Sequence, residues 1–360
     1  MRISLFILLQ FLIFSVQAVD DLSRLSWRKV ATSMPPEWYS TPEARQIADK
    51  LIDYQFENGG WPKNINFHLP LDEARYDEMR KTGIGANIDN NATTTEMLFL
   101  AKIATTSHDE KYKQSFLKGL GYLFDAQYEN GGWPQFFPPR PNVPYSAHIT
   151  FNDNAYVNVM TVLQAIYRNQ SPYNNLHLSD DIQKQAKTAF DKGVECILNT
   201  QIRKNGLLTV WCAQHDEHTL LPAKARAYEL ESYSGAESVG VVRLLMSIEN
   251  PSPRILTAID SAISWFKNHE IKDLAFTRIP DKDGKKKSAV TRSPGHVVWA
   301  RFYDLDTEAP FFCDRDGIKK DSVADIGSER RDGYGWYTDA PARLLEEYAV
   351  WKTGNTRRDR

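Results

Sequence analysis

Two acidic residues stand in polar segments that lead into helix-forming sequence. Asp89 lies in the segment 88–91, ahead of a threonine-rich stretch, and Asp153 lies in 151–154, ahead of an apolar periodic stretch. Side-chain oxygens at such positions either cap the backbone N–H groups of a helix or hold a hard cation. The residue types alone leave both interpretations open. Glu237, at a third helix start, is either a further ligand or an ordinary first-turn acid.

Charged residues later in the chain could bind an anion or transfer a proton. Arg226 and Glu229 stand in a segment where cations and acids alternate. A loop in which Glu229 holds Arg226 and a solvated charge cluster are both possible. Arg301 and Arg315 lie among aromatic residues, where an uncompensated guanidinium is unfavourable. These two arginines are therefore either available for an anionic ligand or paired with acids nearby in the sequence, which are Asp304, Asp314 and Asp316.

The cysteines and histidines give a weaker signal. Cys212, His215 and His218 could be zinc ligands, but no convincing fourth ligand accompanies them. Cys196 and Cys313 complete an odd set of three cysteines, which allows at most one disulfide within the chain. Buried structural cysteine is the favoured interpretation, although the sequence does not show whether any two of them pair.

Helix-forming patterns fill most of the chain. Strand-like sequence is confined to short pieces such as 207–211 and 289–291. Thr93 and Glu96 have the spacing of a capping box at one helix start. Apolar residues recur at helical spacing in 43–55, 93–105, 111–127, 153–168, 182–200, 235–247, 254–268 and 340–353. These patterns predict a mainly α fold with a few short β-strands.

An internal repeat organises the helices. The segment Gln55–Pro62 (QFENGGWP) recurs as Gln127–Pro134 (QYENGGWP), and a degraded copy runs from Gln201 to Trp211. The Asn-Gly pairs begin at 58, 130 and 205, so the periods are 72 and 75 residues. Such a period holds two helices with their connections. We therefore predict an (α/α) toroid of about three helical hairpins with long loops, forming one domain over residues 19–360.

Long polar and aromatic segments connect the predicted helices. Loops of this length usually carry function, and in a toroid they converge at a concave end. The connections are 58–75, 129–152, 204–234, 278–300 and 303–338. The aromatic residues predicted to line a cleft there are Phe136, Phe137, Tyr228, Tyr233, Trp299, Phe302, Tyr303, Phe311, Phe312, Tyr334 and Trp336.

Composition narrows the class of protein. The chain has 360 residues, 42% of them hydrophobic, which excludes a disordered chain. Lys and Arg total 44 against 46 Asp and Glu, so a nucleic-acid binder is not expected. Residues 1–18 combine a cationic start with an apolar stretch too short for a membrane anchor, which predicts a secretory signal peptide. We expect a secreted or periplasmic protein with no membrane span after cleavage.

Several of these segments, in this order and spacing, resemble the family 10 pectate lyases over nearly the whole mature chain. The matching segments are 89–90, 130–135, 151–155, 226–229, 232–235, 301–303 and 312–317. The resemblance implies a helical toroid-like fold. It also implies a calcium-assisted anti-β-elimination that cleaves α-1,4-linked polygalacturonate and leaves 4,5-unsaturated oligogalacturonides.

The resemblance also implies roles for individual residues. Arg226 would be the base that removes the C5 proton, and Glu229 would orient its guanidinium. Asp89 and Asp153 would contribute to a Ca²⁺ site. The residues expected to bind substrate are Asn90, Arg301, Tyr303 and Arg315. Neighbouring cations would disfavour the charged form of Arg226, so activity should rise towards alkaline pH.

Two other functions are compatible with the same residues. An inverting glycoside hydrolase acting on an acidic polysaccharide could use Asp89 and Asp153 as base and acid. A non-catalytic pectin-binding protein could use the arginines alone. In each case the expected partner is an acidic polysaccharide, and we expect a monomer.

Overall fold

Helices dominate the computed structural model of the chain, which describes residues 22–71, 73–82, 85–280, 282–283 and 286–356. The predicted signal peptide, 1–18, lies outside the described residues. Within those residues no helix is both long and apolar enough to cross a membrane. The helices are Trp27–Ser33 (α1), Pro42–Asp53 (α2), Glu73–Thr82 (α3), Thr94–Ser107 (α4), Glu110–Asp125 (α5), Ala155–Tyr167 (α6), Asp180–Thr200 (α7), Glu237–Met246 (α8), Pro253–Asn268 (α9), Ser328–Gly333 (α10) and Ala340–Thr356 (α11).

The strands are short, except for two. They are Ile149–Thr150 (β1), Arg203–Lys204 (β2), Leu207–Leu208 (β3), Gln214–His215 (β4), Tyr233–Ser234 (β5), Ile271–Pro280 (β6), Lys286–Ala300 (β7), Phe302–Tyr303 (β8), Phe312–Cys313 (β9), Lys319–Lys320 (β10) and Tyr337–Thr338 (β11). β6 and β7 form a long antiparallel hairpin, extended by β11. The prediction of a loop over 278–300 is therefore wrong for most of its described residues, because 278–280 complete β6 and 286–300 form β7.

The helices pair as antiparallel hairpins arranged in two layers. The hairpins are α4–α5, α6–α7 and α8–α9, with α2 before the first and α11 after the last. The first helices contact one another in chain order, α4 with α6, α6 with α8, and α8 with α11. In the second layer α2 contacts α5, and α7 contacts α9. This arrangement confirms the prediction of an (α/α) toroid-like fold built from three complete hairpins.

The start of α4 differs from the predicted capping box. Thr93 has φ 63° and makes no side-chain cap. Its hydroxyl instead donates to the carbonyl of Asn87 and accepts from the backbone N–H of Trp61. Glu96 is equally occupied, because its Oε1 accepts from the indole of Trp27 at 2.7 Å. Both side chains bind across the fold instead of along the helix, so local spacing was misleading.

The repeat found in the sequence forms the corners between hairpins. In each copy the Gln side chain donates from Nε2 to a carbonyl in the second helix of the following hairpin, at 2.9 Å. These pairs are Gln55 with Ser115, Gln127 with Ala189, and Gln201 with Ala258. The Trp of each copy donates from Nε1 to the end of the preceding helix, as Trp61 does to Leu51 at 2.8 Å. Each corner therefore joins the helix before it to the hairpin that follows.

A fourth corner, not apparent in the sequence, lies at Trp299. Its Nε1 donates to the carbonyl of Phe266 near the end of α9, at 2.8 Å. Trp133 and Trp211 make the same bond to their own preceding helices. At this corner the β6–β7 hairpin replaces the short Asn-Gly turn and separates Trp299 from α9. The inserted hairpin removes the spacing by which the other copies are recognised.

Candidate active site

Two turns with the same backbone form one wall of the site. The 3₁₀ turns Asp89–Asn91 and Asn152–Asn154 lead into α4 and α6 and contact each other. The second residue of each is left-handed, with φ 50° and ψ 35° at Asn90 and φ 49° and ψ 32° at Asp153. Asn and Asp are the non-glycine residues that tolerate this conformation best. The acid therefore stands first in one turn, at Asp89, and second in the other.

A pocket of about 150 Å³ is lined by both turns and by the loop that carries Arg226. The predicted site residues that line it are Asp89, Asn90, Asp153, Arg226 and Glu229. The pocket also contains Phe136, one of the aromatic residues predicted to line a cleft. The residues that join them without having been predicted are Lys63, Gln135, Arg140, Tyr145, Asn152 and Gln214. Sequence segments far apart in the chain thus converge on one charged cavity.

Asp89 is buried in this pocket, and both oxygens of its carboxylate accept hydrogen bonds. Only 3% of the residue is exposed. Its Oδ2 accepts from the ammonium of Lys63 and, at 2.8 Å, from Nε2 of Gln135. Its Oδ1 accepts from the backbone N–H of Asn90 at 3.0 Å. A cation that binds Oδ2 must therefore displace a partner already present.

Arg226 and Glu229 form a two-pronged ion pair. Nε of Arg226 donates to Oε2 of Glu229 at 2.7 Å, and Nη2 donates to Oε1. The hydroxyl of Tyr334 donates to the same Oε1 at 2.8 Å. Burial lowers the pKa of Arg226, but the hydrogen bonds and charge of Glu229 outweigh burial and raise it. The pair gives the guanidinium one fixed orientation in the pocket wall.

Arg301 lies behind the pocket wall. It is 9% exposed, and its Nη2 donates to Oδ1 of Asn152 at 3.0 Å, to Oδ1 of Asp153 at 3.2 Å and to Oε1 of Glu237. Burial lowers the pKa of Arg301, and the charges of Glu237 and Asp153 more than compensate and raise it. Glu237 thus balances a buried arginine, and Arg301 in turn orients the turn that carries Asp153.

Arg315 belongs to an exposed basic cluster beside Arg226. Its Nε and Nη2 donate to Glu329, both at 2.9 Å, and its side chain is 64% exposed. The ring of Tyr228 lies 4.9 Å from the guanidinium of Arg226, 4.7 Å from that of Arg330 and 5.9 Å from that of Arg315. Hydrogen bonds from both partner arginines lower the pKa of Glu329 to about 2. A chain with almost no net charge therefore carries a local cluster of three arginines around Tyr228, with Glu229 and Glu329 as their acid partners.

The predicted acid partners of these arginines are wrong. Asp304 pairs with Lys319, and Asp316 lies 3.9 Å from Lys320. Asp314 instead accepts from backbone N–H groups, including that of Gly327 at 2.6 Å. The true partners of Arg301 are 64 and 148 residues away in the sequence, at Glu237 and Asp153.

Comparison with known proteins places the chain in a family. The family model of pectic acid lyases matches residues 55–345. The chain belongs to this family. A comparison with curated proteins finds no match. Two solved structures of a family 10 polysaccharide lyase from Cellvibrio cellulosa resemble the chain, each with a TM-score of 0.77.

Both structures cover most of this pectic acid lyase. One, at 34% identity, covers 91% of this chain and 95% of its own. The other, at 33% identity, is a point mutant in complex with trigalacturonic acid and covers 90% of this chain and 95% of its own. The resemblance to family 10 is thereby confirmed, and the chain is a polysaccharide lyase of the pectate-lyase type.

Tyr303 does not line the pocket of this pectic acid lyase. It is 1% exposed, and its hydroxyl donates to the carbonyl of His269 and accepts from the N–H of Ala300, both at 3.0 Å. The structure therefore contradicts its prediction as a substrate-binding residue, because its polar atom is already satisfied inside the core. Most of the aromatic residues predicted to line the cleft are likewise buried: Tyr233, Trp299, Phe302, Phe311, Phe312 and Trp336. Phe136 is the member of that set found in the pocket.

The cysteines do not form a zinc site. Cys196, Cys212 and Cys313 are all buried and unpaired, as the structural interpretation predicts. The backbone N–H of Cys212 donates to Nε2 of His215, whose Nδ1 lies 2.9 Å from the carbonyl of Leu220. Both ring nitrogens of His215 are thus occupied by the backbone.

Two of the unpredicted pocket residues follow from the repeat. Lys63 comes directly after Trp61-Pro62 in the first corner, and Gln135 comes directly after Trp133-Pro134 in the second. Both side chains reach the same Oδ2 of Asp89. An alignment of the two corners would have pointed to both positions, since each corner delivers the residue after its proline to the site.

Proposed function

We propose that the chain is a pectate lyase that cleaves α-1,4-linked polygalacturonate by calcium-assisted anti-β-elimination, leaving 4,5-unsaturated oligogalacturonides. The observation that carries the proposal is the pocket that unites Arg226 and Glu229 with Asp89, Asn90 and Asp153. A related family 10 structure is described in complex with trigalacturonic acid, which supports a polygalacturonate substrate.

The chemistry explains why the pocket is charged. Polygalacturonate carries a carboxylate on every sugar, and elimination requires removal of the proton at C5, next to that carboxylate. The C5 proton becomes acidic only when the carboxylate charge is neutralised. Arginine and a bound divalent cation both supply that neutralisation. The arginine cluster around Tyr228 supplies further positive charge for the neighbouring sugars of the polymer.

The residues present fit a calcium ion. Calcium prefers six to eight oxygen ligands, which include carboxylates and amide carbonyls. The pocket offers the carboxylates of Asp89 and Asp153 and the amide of Asn90. It is also lined by Gln135 and Gln214, whose Oε1 atoms are buried and have no hydrogen-bond partner among the described residues. When bound, calcium would neutralise a substrate carboxylate.

Arg226 is proposed as the base that accepts the C5 proton. It lines the pocket, and Glu229 fixes the direction of its guanidinium. Its raised pKa means that the neutral form is scarce at neutral pH, so the reaction should depend on alkaline conditions. Glu229 therefore orients the base and makes it stronger, but it also reduces the fraction of Arg226 that is neutral near neutral pH.

Arg301 and Arg315, both predicted to bind substrate, lie in different environments. Arg315 is exposed next to Arg226 and is proposed to bind a substrate carboxylate directly. Arg301 is buried, so we propose that it acts on substrate by holding Asp153 and Asn152 in place. We also propose export to the periplasm or the medium, on the basis of the sequence of residues 1–18, and action as a monomer.

An absorbance assay tests the proposed function. The purified chain is incubated with polygalacturonate at alkaline pH, with Ca²⁺ or with a chelator, and ultraviolet absorbance of the unsaturated product is followed. We expect an increase that requires Ca²⁺. New reducing ends without absorbance would favour the hydrolase that uses Asp89 and Asp153. Unchanged polymer length would favour a pectin-binding protein.

A further inference from the structure

The carboxylate of Asp89 is paired with a cation that the chain itself provides, the ammonium of Lys63. Oδ2 of Asp89 accepts from the ammonium of Lys63, and the two side chains are 5% and 31% exposed respectively. An ammonium on its four-carbon stem is a compact charge that can change partners easily. The remaining polar partner of this oxygen, Gln135, is a neutral amide. Lys63 therefore provides the charge that balances the buried Asp89.

The position of Lys63 gives its ammonium a second place to bind. It lies 5.6 Å from the ring of Phe136, which also lies 5.3 Å from the guanidinium of Arg140. All of these residues line the same pocket as Arg226. An ammonium that leaves Asp89 thus remains in a cavity where an anionic ligand would need cations.

We propose that Lys63 is an exchangeable counter-ion, bound to Asp89 in the resting enzyme and displaced when a divalent cation binds. The displaced ammonium then pairs with a carboxylate of the acidic polysaccharide. This inference rests on the proposed function, because it takes Asp89 as a cation ligand. Its physical basis is that one carboxylate oxygen cannot hold an ammonium and a divalent cation at close range without strong repulsion between the two cations.

The exchange couples the two ligands of the site. Displacing Lys63 weakens the binding of the divalent cation in the absence of substrate. A substrate carboxylate that captures Lys63 removes this opposition. By linkage, substrate and cation then strengthen each other's binding by the same factor. The enzyme would bind calcium firmly when polymer is present and more weakly when it is absent.

Isothermal titration calorimetry with CaCl₂ on the full substrate-free chain tests the exchange. Lys63→Met removes the competing charge, and we expect it to tighten Ca²⁺ binding roughly tenfold. Lys63→Arg keeps a cation and should bind Ca²⁺ as the wild type does. Lys184→Met, at a 78% exposed lysine on α7, is the matched control for loss of one charge.

The outcomes separate this role from the proposed function. Tighter Ca²⁺ binding by Lys63→Met alone supports the exchange. Equal affinity in wild type and Lys63→Met overturns the exchange and leaves the calcium site standing. Weaker binding by Lys63→Met also overturns it, since Lys63 would then be holding Asp89 in its ligand position. If neither wild type nor any variant binds Ca²⁺, the calcium site and the exchange both fail. Lys63→Gln serves in place of a methionine variant that does not fold.

Discussion

Arg226 and Glu229 are joined by parallel hydrogen bonds, with Nε of Arg226 2.7 Å from Oε2 of Glu229 and Nη2 on Oε1. The backbone N–H of Arg226 also donates to Oε2, at 3.2 Å. One carboxylate thus binds the side chain and the main chain of the same residue. This relationship fixes the guanidinium relative to the pocket and raises its pKa.

Replacement of Arg226 should abolish activity without loss of the fold. The residue is half-exposed at the pocket, so Arg226→Ala leaves the helical core intact. Removing a positioned general base typically lowers the rate by about 10² to 10⁴. Arg226→Lys should be nearly as impaired, because an ammonium cannot make both bonds to Glu229. Both variants are assayed by ultraviolet absorbance, and full activity in Arg226→Ala would exclude this residue as the base.

The pH dependence should follow the charge of Arg226. Because Glu229 raises the pKa of Arg226, little of this residue is neutral near neutral pH. The neutral form becomes more abundant as pH rises, so kcat should increase through the alkaline range. Glu229→Gln removes the negative charge and lowers that pKa, so the rising limb should move to lower pH while the maximal rate falls with the lost orientation. Both effects are measured by determining kcat from pH 6 to pH 11 in steps of about half a pH unit. An unshifted limb in Glu229→Gln would mean that another group titrates.

The two equivalent turns allow calcium affinity to be changed in both directions. Asn90 and Asp153 have the same backbone conformation in neighbouring repeats. Asp153→Asn removes a carboxylate and should weaken Ca²⁺ binding, whereas Asn90→Asp adds one and should strengthen it. Calorimetry on the substrate-free chain gives both affinities. We expect the Ca²⁺ affinity to fall in Asp153→Asn and to rise in Asn90→Asp. A change of affinity in the same direction in both variants would show that the two turns do not share one ion.

The helical scaffold was predictable because few other residue types could make the hydrogen bonds that the corners require. Gln, Gly and Trp recur at fixed spacing because Gln127 and Trp133 each bind a particular carbonyl across the corner. The corner at Trp299 escaped prediction because the β6–β7 hairpin is inserted there. Local patterns give the length of a period, but they do not show where a period has been interrupted.

The site was only partly predictable for a different reason. Residue type and resemblance pointed to Asp89 and Arg226, which do meet in one pocket. The partner of Arg301 could not be read from neighbouring acids, because Glu237 reaches it only after α8 is folded against the loop. Tyr303 stands two residues after Arg301 in the sequence, but its hydroxyl is held inside the core by the backbone of His269 and Ala300. Pairing across long distances is a property of the fold and not of the motif.

Glu96 should make stability depend on pH. Burial raises its pKa from 4.5 to about 7, and its Oε2 has no hydrogen-bond partner among the described residues. In the unfolded chain this acid ionises above pH 4.5, so the folded state loses relative stability as pH rises from 4.5 to about 7. Glu96→Gln removes that loss and should be more stable than wild type by about 3 kcal/mol above pH 7.

Urea unfolding at pH 5 and at pH 8 measures this difference. The gap between Glu96→Gln and wild type should be small at the lower pH and large at the higher pH. The exposed Glu57→Gln variant controls for loss of one carboxylate. A gap that is the same at both values would show that the Gln side chain acts through packing and not through ionisation.

The glycines of two equivalent corners separate backbone strain from steric clash. Gly131 and Gly206 have φ 89° and 82°. A Cβ at Gly131 would lie 2.0 Å from the carbonyl oxygen of Lys192 on α7, whereas a Cβ at Gly206 meets nothing within 4 Å. Gly206→Ala should therefore cost only the left-handed conformation, about 1 to 2 kcal/mol. Gly131→Ala adds overpacking of the corner against α7, about 1 to 3 kcal/mol more.

Urea unfolding of the two alanine variants gives the comparison directly. The larger loss in Gly131→Ala is expected because the carbonyl of Lys192 belongs to the helix backbone and cannot move aside without disturbing α7. Equal losses would mean that the corner relaxes away from the helix and does not brace the hairpin. In that case α7 would be held against the corner by hydrogen bonds such as the one from Gln127 to Ala189 and those of the Tyr156 hydroxyl to Gly131 and Gly193.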